Sequence, residues 1–218
     1  LVDYNTKGPL RIISALVGGF ILLAAIFFGR YALLGAISFV FIAAVYEYTS
    51  LLREKNRLKL ALLGPGIFYI GLLFMINAIF ELPLGNVLVL FTFLGTWAFD
   101  TAAYYIGTKW GHHKIIPKIS PNKSLEGFIG GLLAVTIIAI LLPDFLFKVG
   151  TESFLKAGWI LTISFGAFLG DIIESSTKRK LEVKDSSKLI PGHGGFLDRF
   201  DSLMITATAA YLFYRWFL

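Results

Sequence analysis

The sequence contains no cysteine, and only 16% of its 218 residues carry a charge. The missing thiols exclude disulfides, thiolate metal sites and cysteine nucleophiles, without fixing a redox compartment. The low charge lies well under the roughly 25% of an ordinary soluble domain. Internal repeats and low-complexity tracts are also lacking. Apolar residues take their place: 56% of the chain is hydrophobic and the mean hydropathy is +0.75. That composition belongs to a membrane protein.

A bilayer-crossing helix needs about 20 mostly apolar residues. Seven segments approach that length: Leu10–Phe28, Tyr31–Leu52, Leu60–Phe80, Val87–Gly107, Phe128–Phe147, Ala157–Ile173 and Phe200–Phe217. The first has the basic start of a signal peptide, but further spans follow instead of a cleavage site and a soluble domain, so it reads as a span. The runs are continuous rather than alternating, which favours helices over a barrel. The fold expected is all-α: a polytopic integral membrane bundle of about seven transmembrane helices, forming a single transmembrane domain over 1–218. Gly64-Pro65-Gly66 is expected to break or kink the start of the third span.

Seven spans place the N-terminus on the same side as the second, fourth and sixth loops. Sixteen of the 20 lysines and arginines fall on that side, leaving only Arg30, Lys148, Lys156 and Arg215 opposite. The positive-inside rule makes the basic side cytoplasmic, with the loops Thr108–Lys123 and Ser175–Arg199.

Carboxylates within or beside spans need an explanation. Glu47 reads best as a hydrated helix-end residue or a partner of Arg53. Asp100 is equally well read as a buried hydrogen-bonding partner of Thr101, Tyr104 or a cation, or as the wall of a polar cavity. Asp171 and Glu174 share a helical face at i and i+3, and Glu174 could simply pair with Lys178. Asp198 and Asp201 repeat the spacing where the last span begins. If those two helix ends are neighbours, four acids would repel one another, and a divalent cation held by carboxylate oxygens is the simplest remedy. Between the acid pairs lie Lys178-Arg179-Lys180, Lys184-Asp185-Ser186-Ser187-Lys188 and Pro191-Gly192-His193-Gly194-Gly195. The cations read either as a membrane anchor or as phosphate neutralisers. The glycines let backbone N–H groups approach a phosphate, and His193 reads as an orienting or phosphate-contacting residue. The other loop supplies Lys123, Ser124 and the adjacent His112 and His113, which are unsuited to form a metal pair. In that loop Ser120 with Pro121 is a candidate helix start. Gly166/Gly170 and Gly127/Gly131 read as close helix packing.

Ser175 to Asp201 resembles the signature of phosphatidate cytidylyltransferases. The matching positions are Ser175, Lys178, Arg179, Lys184, Asp185, Ser187, Ile190, Pro191, His193, Gly194, Gly195, Phe196, Asp198, Arg199, Phe200 and Asp201. Thr177 departs from the family's apolar residue. Gly170-Asp171-x-x-Glu174-Ser175, Ser120-Pro121-x-Lys123-Ser124-x-Glu126-Gly127 and Trp97–Gly107 are similar to further family segments. The resemblance covers the chain from about Leu60 onward. It divides the chain into N-terminal spans, 1–59, and a catalytic membrane core, 60–218, with the signature loop at 175–201.

The resemblance implies transfer of a cytidylyl group from CTP to phosphatidate, giving CDP-diacylglycerol and pyrophosphate at the cytoplasmic face of the cytoplasmic membrane. It implies Mg²⁺, with a second cation left open, held by Asp171, Asp198, Glu174 and Asp201. Asp171, Asp198, Asp201, Lys178 and Arg179 would be catalytic. Lys123, Ser124, Lys184, Asp185, Lys188, His193, Gly194, Gly195, Arg199 and Asp100 would bind substrate. Membrane lipid is an expected partner, a homodimer is compatible with the family, and nucleic acid is not expected. The family's bacterial members carry about two more spans where this chain has only Arg53–Lys59, which implies either a shortened member or a partial chain. Two other readings remain open: a CTP-dependent polyprenol kinase, and an ion-coupled transporter using Asp100, Asp171 and Glu174. The paired-aspartate motif of CDP-alcohol phosphotransferases is absent.

Overall fold

The computed structural model describes residues 17–54, 63–82, 84–146, 150–183, 186–187 and 194–217. Among them are seven α-helices: α1 (Val17–Phe27), α2 (Arg30–Glu54), α3 (Leu63–Glu81), α4 (Gly85–Trp110), α5 (Leu125–Ile140), α6 (Glu152–Lys180) and α7 (Leu197–Phe217). The described residues include no strand beyond one isolated antiparallel bridge between Lys114 and Ser124. Over the described residues, each expected span falls on a helix. By length and composition α2, α4 and α6 are long and apolar enough to cross a membrane, while α1 and α5 are shorter apolar helices.

Two boundaries depart from expectation. The fifth helix ends at Ile140, not Phe147. Pro143 disfavours helical backbone in the residue before it, and Asp144–Leu146 form a separate 3₁₀ turn. The same helix starts at Leu125, with Ser124 as its N-cap accepting a hydrogen bond from the Gly127 N–H (3.2 Å). Ser120 and Pro121 therefore belong to a turn rather than a helix start.

The bundle is apolar outside as well as inside. On α5, Gly127, Gly130, Gly131 and Val135 face inward, while Ile129, Leu133, Ile137 and Ile140 are 50–70% exposed. A helix with its small residues inside and its branched aliphatics outside is built for a lipid solvent. The chain is a membrane protein. Polar groups within the apolar part of the bundle pair with one another, as hydrocarbon surroundings favour. The Trp159 indole N–H donates to the Tyr214 hydroxyl (2.8 Å), which donates in turn to the Leu88 carbonyl (3.2 Å).

The crossing of α6 and α7 positions the site. A Cβ on Gly170 would lie 2.8 Å from the Asp201 carbonyl oxygen and from the Ser202 Cα, and one on Gly166 would lie 2.9 Å from the Thr206 Cα. The two backbones touch, as the Gly166/Gly170 spacing suggested, and the acid-bearing ends of α6 and α7 become neighbours. Gly170→Val is expected to force them apart. Overpacking of this kind costs about 1–3 kcal/mol or more, because the obstructing atoms are backbone. A lowered thermal midpoint in detergent, with loss of activity, is the expected reading. An unchanged midpoint would show that the crossing can relax.

Candidate active site

Four elements converge at one end of the bundle. The first is α4, which brings Asp100. The second is the loop 111–124, which brings Lys123. The third is the C-terminal end of α6, with Asp171, Glu174, Lys178 and Arg179. The fourth is the start of α7, with Asp198, Arg199, Asp201 and Ser202. Helix α6 runs past its apolar stretch to Lys180, where Lys178, Arg179 and Lys180 complement the negative end of its dipole.

The loop 111–124 folds back on itself and is tied to α6. The Ile115 N–H donates to the Lys123 carbonyl (3.0 Å) and the Leu125 N–H to the His113 carbonyl (2.9 Å). Glu126 holds the loop's base, accepting from the His113 N–H at 3.2 Å and meeting His113 Nδ1 at 2.6 Å. The His113 side-chain hydrogen bond, with backbone hydrogen bonds behind it, lowers the Glu126 carboxyl to about 2, so the clamp stays ionised at neutral pH. Arg179 Nε donates to the Ile119 carbonyl (3.3 Å), joining the two basic loops.

Lys123 forms an ion pair with Asp171. Lys178 lies between Glu174 (2.7 Å) and Asp198 (2.9 Å), so it is more than a partner within one helix. Asp100 accepts a hydrogen bond from the Ser202 hydroxyl (3.2 Å), not from Thr101 or Tyr104. It also lies within electrostatic range of Asp171 and Asp201, as Glu174 does of Asp198 and Asp201. The two carboxylate pairs thus form one cluster, joined by Asp100. Arg199 is within electrostatic range of Asp201. Among the described residues, five carboxylates face Lys123, Lys178 and Arg199, which leaves two formal negative charges.

Asp198 is used differently from the other acids. Its Oδ1 meets Lys178, and its Oδ2 accepts from the Ser186 N–H (2.9 Å), the Ser186 hydroxyl (3.0 Å) and the Gly195 N–H (2.9 Å). It binds the signature loop. By contrast, Glu174 is 8% exposed and its Oε1 has no hydrogen-bond donor among the described residues. Ser124 is buried as a helix cap. Among the described residues no three histidine, aspartate or glutamate side chains stand close enough to hold a metal ion in this arrangement. Lys184, Asp185, Lys188 and His193 lie outside the described residues.

Glu47 is a correction. It is 2% exposed, not a hydrated helix-end group, and it binds the signature loop from α2. Its Oε1 accepts from the Ser187 hydroxyl (2.7 Å) and the Phe196 N–H (2.9 Å), and its Oε2 from the Leu197 N–H (3.0 Å) and the Ser186 hydroxyl (3.2 Å). Its donors lie 139–150 residues away in sequence, and the one available signal was a carboxylate inside an apolar run.

The fold and site define a membrane-embedded helical bundle with an acidic, lysine-lined cluster at one end, to which Ser186 and Gly195 are bonded through Asp198. The chain belongs to the cytidylyltransferase family, whose model matches residues 60–217. It is 42% identical over 178 residues to a phosphatidate cytidylyltransferase of Staphylococcus saprophyticus, covering 78% of this chain and 63% of that protein. The identity is 40% over 174 residues with a phosphatidate cytidylyltransferase of Staphylococcus aureus, with the same coverage. An uncharacterized protein of Escherichia coli, YnbB, is 43% identical over 132 residues, covering 61% of this chain and 44% of that protein. The chain thus spans about half to two thirds of the length of these relatives.

Proposed function

We propose that the protein transfers the cytidylyl group of CTP to phosphatidate, forming CDP-diacylglycerol and pyrophosphate. The observation that carries this reading is the cluster of Asp100, Asp171, Glu174, Asp198 and Asp201, ion-paired to Lys123 and Lys178 at one end of a lipid-facing bundle. Family membership and the names of the staphylococcal relatives support it.

A phosphate oxygen of the lipid would attack the α-phosphorus of CTP. The new P–O bond forms as the α–β anhydride bond breaks, and the electron pair leaves with pyrophosphate. The obstacle is one polyanion approaching another. Lys123, Lys178 and Arg199 would offset the phosphate charges, with Lys184 and Lys188 adding to them. Backbone N–H groups near Gly194 and Gly195, with His193 and Asp185, would orient the triphosphate. The lysines now paired with carboxylates can turn to phosphate at little cost, since one anion replaces another. Their contribution is electrostatic stabilisation of charge on the transferring group.

The donor set fits a hard divalent cation. It consists of carboxylate oxygens and includes Glu174 Oε1, which has no hydrogen-bond donor among the described residues. Asp171 with Asp201, which lie within electrostatic range of each other, would hold Mg²⁺ together with the substrate phosphates, and when bound it would supply charge neutralisation on the reacting phosphates. Asp198 is better suited to anchoring the loop. The excess of basic residues at this end supports a site at the cytoplasmic face of the cytoplasmic membrane, where CTP would arrive from water and phosphatidate from the bilayer.

The test is purified protein in detergent with phosphatidate and [α-³²P]CTP, with and without EDTA. Metal-dependent label in the lipid fraction is expected. Label entering lipid only from [γ-³²P]CTP would replace this reading with a lipid kinase. No CTP consumption, with ion flux in liposomes, would replace it with a transporter.

A further inference from the structure

The reaction described above gives the front helices no part. Helix α2 lies outside residues 60–217 and packs chiefly against α3, only lightly against α7. Yet its Glu47 is among the most completely buried side chains in the protein. Among the described residues its hydrogen-bond donors are all neutral: two serine hydroxyls and two backbone N–H groups. An ionised carboxylate is tolerated in such a place only when donors saturate it.

Those donors come from both ends of one loop. Ser186 and Ser187 lie at its start, Phe196 and Leu197 at its finish. One carboxylate therefore ties together the two described stretches that flank residues 188–193. The approach is close: a Cβ on Gly195 would lie 2.1 Å from Ser186 Oγ and 2.5 Å from Glu47 Oε2, so a larger residue there would push the Glu47–Ser186 contact aside. Asp198 grips the same loop from the other side through Ser186 and Gly195. Leu197, held by Glu47, directly precedes Asp198, which holds Lys178. A shift at Glu47 therefore reaches the acid cluster through two bonded steps.

We infer that Glu47 is a positioning residue for the reaction, setting the signature loop at the distance from the acid cluster that CTP requires, and that α2 is thereby a working part of the site. The inference rests on the proposed function and extends it to a residue outside the matched segment. Glutamine at this position keeps the shape but turns an N–H₂ group toward backbone donors, so the loop loses part of its tie.

The experiment pairs steady-state kinetics with hydrogen–deuterium exchange on the intact chain in detergent. Glu47→Gln should lower kcat/KM for CTP by about 10–100-fold, mainly by raising the KM for CTP, as loss of positioning groups generally does. The KM for phosphatidate should stay unchanged. Exchange at the Phe196 and Leu197 amides should rise while α4 and α5 keep their protection. Ser187→Ala, which leaves the carboxylate in place, should move both readouts the same way by less. Wild-type kcat/KM with unchanged amide protection would overturn the inference. So would exchange rising across the whole bundle in Glu47→Gln with no effect of Ser187→Ala, which would make Glu47 a support of the fold alone. If the wild type forms no CDP-diacylglycerol, the proposed function falls, and amide protection alone decides whether Glu47 holds the loop.

Discussion

Asp171→Asn is expected to reduce lipid labelling from [α-³²P]CTP by roughly 10²–10³-fold, the usual cost of removing one preorganised electrostatic group from a site. The fold should survive. Asp171 is 41% exposed at its side chain, and asparagine still offers Lys123 an oxygen. Lys123 also lies over the Phe168 ring, 5.3 Å from its centroid, so it keeps a second favourable contact. The thermal midpoint should therefore hardly move while turnover collapses. A folded variant with near-normal turnover would remove Asp171 from the chemistry.

Asp198→Asn should behave differently although it sits in the same cluster. Its two oxygens serve Lys178, the Ser186 N–H and hydroxyl, and the Gly195 N–H. Asparagine must present an N–H₂ group to one of these donors. Charge-assisted hydrogen bonds contribute about 1.5–3 kcal/mol each, and Lys178 would lose one of the two carboxylates it touches. Both the thermal midpoint and the activity should fall, with the loop loosened. Activity lost at an unchanged midpoint would instead make Asp198 a direct ligand of the reacting groups, and the anchoring reading would fail.

The contrast between these two aspartates marks where sequence reading stops. Spacing treated Asp198 and Asp201 alike, because i and i+3 share a helical face. In three dimensions Asp198 is taken up by the loop, and Asp201 joins the acids of α4 and α6. The spans themselves were legible because long apolar runs have few other uses. Their ends were less so. Helix α6 continues to Lys180 through residues a hydropathy window rejects, and Pro143 stops α5 within an apolar stretch. Ser120-Pro121 carried a helix-start pattern, but Ser124 is the residue whose hydroxyl caps α5. Gly166 and Gly170 were read correctly as packing, and the contact they permit supplied the adjacency that the four-acid argument needed. Glu47 was misjudged because no local pattern announces partners that arrive well over a hundred residues later.

The backbone contact at Gly170 has a mechanical consequence. With no side chain between α6 and α7 at that level, no rotamer change can open a gap between them. The two acid-bearing helix ends are then a fixed anvil. Any opening that the proposed substrates need would then fall to what surrounds it, beginning with the loop 111–124, whose base Glu126 holds.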